Sequence, residues 1–262
     1  MITSFQALIL GAVQGLTEFL PVSSSAHLIL VPWLLGWGDP GLAFDVALHL
    51  GSLLALLIYY RDQWLAMGAS IIRRDAASRR LLILLIVASI PGAIFGLLLE
   101  KRAETTFREH FAIIGLTLAV MGVVLWIADV IGRNRKKMDQ LYLGDAILIG
   151  FSQALAIVPG VSRSGATITM ARLLGIERQD AANFSFLMAT PIIAGAGLHE
   201  MPKILHGGID AAVIVGFVSS AIFSLVAITA LVRFVRAGTY KPFAWYRIAV
   251  AIFVIAVAFA RA

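Results

Sequence analysis

The chain contains no cysteine among its 262 residues. It therefore has no disulfide, no thiolate nucleophile and no cysteine-based metal site. It is also poor in charge, because only 14% of its residues are Asp, Glu, Lys or Arg, whereas a soluble domain has about a quarter. Apolar residues make up 60%, more than a soluble core of this length could bury. A cytosolic enzyme, a disordered chain and a secreted disulfide scaffold are excluded, and most of the chain must lie in lipid.

Six apolar stretches are each close to the roughly 20 residues that a membrane-spanning helix needs. They are 41–60, 81–99, 111–128, 184–198, 211–232 and 243–260. The fourth is short, and we expect Pro191 to interrupt it.

Two further apolar stretches contain polar breaks. Residues 5–37 are broken by Pro21, the serines at 23–25 and Pro32, and residues 143–174 are broken at 159–165. Irregular backbone at membrane depth persists only where protein or a water-filled cavity covers it. The sequence therefore predicts an all-α integral membrane protein, with six transmembrane helices and two re-entrant helical hairpins in a single domain, 1–262.

The basic residues predict an orientation in the membrane. If both hairpins return to the side they came from, most of the 21 Lys and Arg residues fall in the loops 61–80, 132–142, 172–182 and 233–242. The positive-inside rule places these loops in the cytoplasm. Both termini then lie outside, the first hairpin opens outward and the second opens to the cytoplasm. The net charge of +6 thus reflects orientation, and we expect no nucleic-acid partner.

The two broken stretches resemble each other. Residues 7–29 align with 146–168, and Pro21 matches Pro159 after a one-residue shift. Identical pairs in this alignment include Gly11/Gly150, Gln14/Gln153, Ser23/Ser162 and Ser25/Ser164. Repeats of about 1–131 and 140–262 each hold one hairpin and three spans, and an odd number of spans inverts the second copy. Inverted repeats with broken helices are typical of transporters.

The first break concentrates polar chemistry. Glu18 lies in an apolar run four residues after Gln14, so both side chains share one helix face. Ionisable groups at this depth are costly and are functional candidates. Serines suit the N-cap of the next helix, whose free N–H groups form an anion site. The candidate residues of this break are Gln14, Glu18, Ser23, Ser24, Ser25 and His27.

The second break adds a cation. Its candidate residues are Ser162, Arg163, Ser164 and Gly165. Arginine is permanently charged and holds phosphate oxygens bidentately. In the repeat, Arg163 replaces Ser24, and Ile157 replaces Glu18, so one copy carries the acid–base and nucleophilic groups and the other carries the cation. If the two tips meet, these groups surround one phosphate-sized site.

Both breaks resemble the signature motifs of one family. Residues 14–27 read Gln-Gly-Leu-Thr-Glu-Phe-Leu-Pro-Val-Ser-Ser-Ser-Ala-His, and residues 159–167 read Pro-Gly-Val-Ser-Arg-Ser-Gly-Ala-Thr. They resemble the undecaprenyl pyrophosphate phosphatases, also called bacitracin-resistance proteins, and 44–51, 184–187 and 242–247 are similar too. The family often has Glu at the position of Gln14, and an amide there cannot be a second base or a full metal ligand.

The resemblance implies an enzyme of the bacterial cytoplasmic membrane that removes the terminal phosphate of undecaprenyl pyrophosphate, giving the lipid carrier for cell-wall precursors. It also implies six spans, two re-entrant hairpins and a divalent cation, Mg or Ca, with unknown ligands. The isoprenoid tail is expected in lipid between spans. A homodimer is one alternative for the oligomeric state.

Roles follow from the chemistry of phosphoryl transfer, which needs charge neutralisation and in-line placement. We expect Ser24 to be the nucleophile, Glu18 and His27 to move its proton and the proton of the leaving group, and Arg163 to hold the pyrophosphate. Substrate contacts are expected from Gln14, Ser23, Ser25, Ser162, Ser164 and Gly165. His27 and water remain alternative nucleophiles, and a lipid-phosphate transporter or flippase is the alternative function.

Five other polar residues have simpler expected roles. Asp45 and His49, one helical turn apart in the first span, should make a polar contact with a hairpin. Asp129 and Asp145 lie at predicted membrane borders and should be solvated. Arg247 should snorkel or pair at the outer border.

Overall fold

A computed structural model of the chain describes residues 2–73, 75–107 and 110–261. Arg74 and Arg108, two of the basic residues weighed above, lie outside the described residues. The described chain folds into α1 Ser4–Phe19, α2 Ser24–Leu35, α3 Leu42–Tyr59, α4 Arg61–Ala69, α5 Ala76–Phe107, α6 Phe111–Ile131, α7 Leu143–Ala154, α8 Arg163–Leu173, α9 Arg178–Gly207, α10 Ala211–Ala237 and α11 Lys241–Arg261. Two 3₁₀ turns, Met138–Gln140 and Leu155–Ile157, lie before and after α7.

Six of these helices, α3, α5, α6, α9, α10 and α11, are long and apolar enough to cross a membrane. This confirms the all-α class and the six predicted spans. The only β pairing in the described residues is one isolated parallel bridge between Lys136 and Ile176.

Two of the prolines that the sequence suggests as helix breaks, Pro32 and Pro191, lie inside continuous helices. Helix α9 continues through both Pro191 and Pro202, so the expected interruption at Pro191 is wrong. Pro32 likewise lies inside α2. Each proline removes one backbone hydrogen bond, and membrane helices tolerate that loss where neighbouring helices or a cavity cover the freed carbonyl. Pro191 does line a cavity.

Two pairs of helices are separated by short non-helical turns. The first pair is α1 and α2, joined by residues 20–23, and the second pair is α7 and α8, joined by residues 155–162. Helices α2 and α8, at 12 and 11 residues, are shorter than a span. The observed turns overlap the predicted breaks at 21–23 and 159–162, whereas residues 24–25 and 163–165 already belong to α2 and α8.

Close packing of α1 on α10 positions the polar face of α1. A Cβ atom on Gly15 would lie 2.6 Å from the Ser220 carbonyl oxygen, so only glycine allows this approach of the two backbones. On the adjacent face, Gln14 Nε2 lies 3.5 Å from Ser52 Oγ of α3. Ser52 Oγ in turn lies 2.9 Å from Ser224 Oγ of α10. The three helices therefore hold Gln14, and with it the end of α1, in one position.

Asp129 and Asp145 are buried, so the expectation that both are solvated is wrong. Asp129 Oδ1 lies 2.6 Å from Arg178 Nε, and Asp145 Oδ2 lies 2.9 Å from Lys136 Nζ. Burial raises the pKa of the Tyr240 phenol, and the nearby Asp129 carboxylate adds to the effect. Tyr240 therefore stays neutral and donates to the Arg178 carbonyl oxygen over 2.8 Å. Each carboxylate has a cation that offsets its desolvation.

Candidate active site

The turns of the two helix pairs meet inside the molecule. Ser164 Oγ donates to the carbonyl oxygens of Glu18 and Leu20, each over 3.2 Å. In the other direction, the Gly160 N–H donates to Ser23 Oγ over 3.2 Å. The two turns are thus in direct contact, which meets the condition set above for a single site formed by both breaks.

The same strained backbone starts the second helix of each pair. Ser23 has φ 75° and Ser162 has φ 73°, and they are the only non-glycine residues of the described chain with positive φ. Such a conformation costs about 1–3 kcal/mol and is found mainly at functional sites. Ser162 Oγ accepts the Gly165 N–H over 3.0 Å as an N-cap. Ser23 makes no such cap, so its hydroxyl is used across the junction instead.

Glu18 is the centre of the site. Its side chain is only 4% exposed. Its Oε1 accepts from Arg163 Nη2 over 2.7 Å. Its Oε2 accepts from Ser24 Oγ over 2.5 Å and from Gln14 Nε2 over 3.1 Å. His49 Nε2 lies 3.4 Å from the same oxygen, so the expected contact between His49 and a hairpin is confirmed. A carboxylate, a hydroxyl and a guanidinium are thus in direct contact.

His27 is not part of this contact group. Its Nδ1 lies 2.7 Å from the Ser23 carbonyl oxygen, and its Nε2 lies 2.9 Å from the Tyr246 hydroxyl, with the two rings stacked. The expectation that His27 reaches Ser24 is wrong in this structure, because both ring nitrogens have other partners. Glu18 is the basic group beside Ser24.

Arg247 holds the two tips together. It is fully buried, and its guanidinium donates to the Pro21 carbonyl oxygen over 3.0 Å and to those of Gly160 and Val161 over 2.6 and 3.0 Å. The expectation that Arg247 snorkels at the outer border is wrong. The sequence feature that indicates an interior position for Arg247 is the same one that singles out Glu18, namely a charged residue inside an apolar run.

A cavity of about 410 Å³ opens beside the junction. Most of its lining is apolar and comes from α2, α3, α5 and α9. Its polar lining residues are Ser25, Asp45, His49, Gln153, Arg163 and His199. Ligand sites are typically cavities of this size, with apolar walls and a few convergent polar groups.

The donor set does not suit a resident divalent cation. Among the described residues there is no group of three or more His, Asp or Glu side chains that could hold a metal ion. Glu18 is already in contact with the Arg163 guanidinium and the Ser24 hydroxyl. Gln14 contributes only a neutral amide oxygen, which Ca can bind but which supplies none of the negative charge that a carboxylate would.

Comparison with known proteins shows which family the chain belongs to. Residues 7–253 match the family described as bacitracin resistance protein BacA. The chain is 50% identical to the undecaprenyl-diphosphatase of Moorella thermoacetica over 260 residues, which cover 99% of each protein. It is 47% identical to that of Pelotomaculum thermopropionicum over 260 residues, covering 99% of this chain and 98% of the relative. With that of Pelobacter propionicus it shares 49% identity over 252 residues, 92% of each. The chain belongs to the bacitracin resistance protein BacA family.

Proposed function

We propose that this protein is an undecaprenyl-diphosphatase of the bacterial cytoplasmic membrane, which hydrolyses undecaprenyl pyrophosphate to undecaprenyl phosphate and so recycles the lipid carrier for cell-wall synthesis. The observation that carries the proposal is the direct contact of Glu18 with both Ser24 and Arg163 where the two tips meet. The names of the relatives, which cover almost the whole chain, support the same activity.

Substrate binding uses the cation. Arg163 lines the cavity and donates to Glu18 while no phosphate competes for it. A pyrophosphate presents several oxygens to the same planar donor, which binds phosphate bidentately. Arg163 then transfers from Glu18 to the substrate, and Glu18 is left with the Ser24 hydroxyl. The N–H groups at the start of α8 add to the anion site.

Ser24 is the nucleophile in this proposal. Its hydroxyl lies 2.5 Å from Glu18 Oε2, which is the arrangement an otherwise weak nucleophile needs. The Ser24 proton passes to Glu18, Ser24 Oγ bonds to the terminal phosphorus, and the bond from that phosphorus to the bridging oxygen breaks. Undecaprenyl phosphate leaves, and water then hydrolyses the phosphoserine to free phosphate. Attack by His27 or by water directly would leave a different adduct or none.

The membrane arrangement belongs to the same proposal. The two helix pairs are re-entrant hairpins of an inverted repeat, the first opening to the outer face, where catalysis occurs. Support comes from the short α2 and α8 and from the contact of the two tips within a bundle of six long apolar helices. A transporter could use the same anion site, but transport has no need for a serine hydroxyl held on a carboxylate.

Phosphate release by purified protein in detergent tests the function. We expect release from undecaprenyl pyrophosphate without any ion gradient, and we expect Glu18→Gln to abolish it. Glu200→Gln is the matched control, since Glu200 is an equally buried carboxylate that pairs with Lys203. A well-folded wild type that binds the lipid and releases no phosphate would support the transporter and refute the proposal.

A further inference from the structure

His49 has no role in the mechanism proposed above, yet it lies at the centre of the site. On α3, it lines the cavity together with Arg163. Its Nε2 is 3.4 Å from Glu18 Oε2, and its side chain is 26% exposed, compared with 4% for Glu18. An imidazole with one nitrogen beside the reacting carboxylate and one edge open to the cavity can contact a bound substrate.

The hydrogen bonding of the ring determines which nitrogen is available. His49 Nδ1 lies 2.7 Å from the Asp45 carbonyl oxygen. A carbonyl only accepts, so Nδ1 carries a proton and Nε2 is the atom that gains or loses one. In the neutral ring, Nε2 would point a lone pair at the Glu18 carboxylate. In the protonated ring, Nε2 presents an N–H to it.

The charged and titratable groups around His49 come from four helices. Glu18 faces it from α1 and Arg163 from α8, Asp45 is one turn away on α3, and His199 of α9 lines the same cavity. The serines of α10 that pack behind α3 carry no charge. Glu18 is the one group of this set in direct contact with Nε2, so the carboxylate that receives the Ser24 proton also stabilises a protonated His49.

We propose that His49 is the general acid of the reaction and protonates the bridging oxygen as it leaves. The proposal rests on the proposed phosphatase function. While Ser24 Oγ bonds to the terminal phosphorus and its proton passes to Glu18, the bridging oxygen departs with the undecaprenyl phosphate. That oxygen takes the proton from His49 Nε2 and leaves a neutral ring.

The second half of the reaction restores every proton. Water attacks the phosphoserine and gives a proton to His49 Nε2. The phosphorus–Oγ bond breaks, and Ser24 Oγ recovers its proton from Glu18. The net change is one water consumed and one phosphate released, with Ser24, Glu18 and His49 in their starting states. One group acts as acid and then as base, as in other two-step hydrolyses.

Other candidates for this acid are less well placed. His27 uses both ring nitrogens, on the Ser23 carbonyl and the Tyr246 hydroxyl. The Gln14 amide does not ionise, and the Arg163 guanidinium is not deprotonated in proteins, so neither can act as the acid. His199 lines the cavity, and no contact with Glu18 is present among the described residues. His206, an exposed histidine further along α9 that is outside the cavity lining, is therefore the matched control for His49.

The test compares His49→Gln with His206→Gln over about pH 5–9 in phosphate-release assays, under conditions where the wild type is active. Loss of a general acid costs at least about 10²-fold in rate, and we expect kcat of His49→Gln to fall by that factor while KM changes little. The wild-type rate should decline at high pH as His49 loses its proton, and His49→Gln should lack this decline. His206→Gln should match the wild type in both respects.

Rescue by added imidazole distinguishes the loss of a proton donor at position 49 from a structural defect caused by the substitution. His49→Ala leaves space beside the cavity, so added imidazole should restore part of kcat, and it should not improve Glu18→Gln. If His49→Gln retains the wild-type rate and pH profile, or loses rate with an unchanged profile and no rescue of His49→Ala, the proposal is wrong. An inactive wild type would instead refute the proposed function, so the two failures are distinguishable.

Discussion

Glu18 shows how one buried carboxylate can organise a reaction site. It is buried, which disfavours its charge, and Arg163, Ser24, Gln14 and His49 surround it. The same contacts that stabilise its charge hold a hydroxyl and a guanidinium beside it. In the proposed mechanism, these groups stabilise one another without substrate and bind and cleave the substrate once it is present.

The first prediction concerns the shape of the cation at position 163. Arg163→Lys keeps the charge and loses the planar fork, so bidentate phosphate binding is lost. We expect turnover to fall by about 10²–10³-fold, the usual cost of removing one preorganised charge contact, with circular dichroism and expression near those of the wild type. Near-normal phosphate release by a well-folded Arg163→Ala protein would remove Arg163 from the mechanism.

Which residues belong to the site could be predicted from the sequence where neighbouring residues in the chain already single them out. Glu18 and Arg163 stand out because a charge in an apolar run needs an explanation. The partners of His27 could not be predicted, because Tyr246 comes from α11, near the other end of the chain. The buried position of Arg247 could not be predicted for a similar reason, since its acceptors are the carbonyls of two distant turns.

At the scale of elements, helix breaks were easier to predict than helix continuity. Pro21 and Pro159 occur with serines and glycine, and the helices do end there. Pro191 has no such neighbours, and α9 continues through it. Which proline breaks a helix depends on whether nearby side chains can begin a new one, and on whether packing covers the freed carbonyl.

The second prediction concerns the link between the two tips. Arg247→Met leaves three buried tip carbonyls without their donor, and a buried acceptor left unsatisfied costs about 1–3 kcal/mol. We expect a lower unfolding temperature in detergent and a loss of phosphate release, with Arg247→Lys intermediate. The matched control is Arg261→Met, because Arg261 lies on the same helix and donates to the Trp33 carbonyl from an exposed position. Equal stability and activity of the two Met variants would contradict this role.

At the scale of the whole molecule, the polar junction is surrounded by long apolar helices. Apolar composition alone predicted the six spans, which the structure confirms. The cavity could not be predicted, because its walls come from six helices and the 3₁₀ turn that follows α7, which only the fold brings together. An apolar cavity with Arg163 at one side suits a substrate with a charged head and an isoprenoid tail.

The third prediction is the orientation of the molecule in the membrane. Lys137 follows α6, whereas Ile209 lies between α9 and α10. Because the proposed arrangement puts most basic residues in loops on the side of Lys137, Lys137→Cys should react with an impermeant thiol reagent only from the cytoplasm. Ile209→Cys should react only from outside. The chain has no native cysteine, so labelling is unambiguous, and reaction of both from one side would contradict the inverted arrangement.

The most direct test of the central claim, that the meeting tips form a hydrolytic site with Ser24 as nucleophile, is a single-turnover quench with substrate labelled in its terminal phosphate. We expect a phosphoserine at Ser24 in the wild type. We expect no adduct and no turnover in Ser24→Ala, with lipid binding retained. An acid-labile adduct on His27, with partial activity in Ser24→Ala, would contradict this assignment. So would turnover of the wild type through no covalent adduct at all.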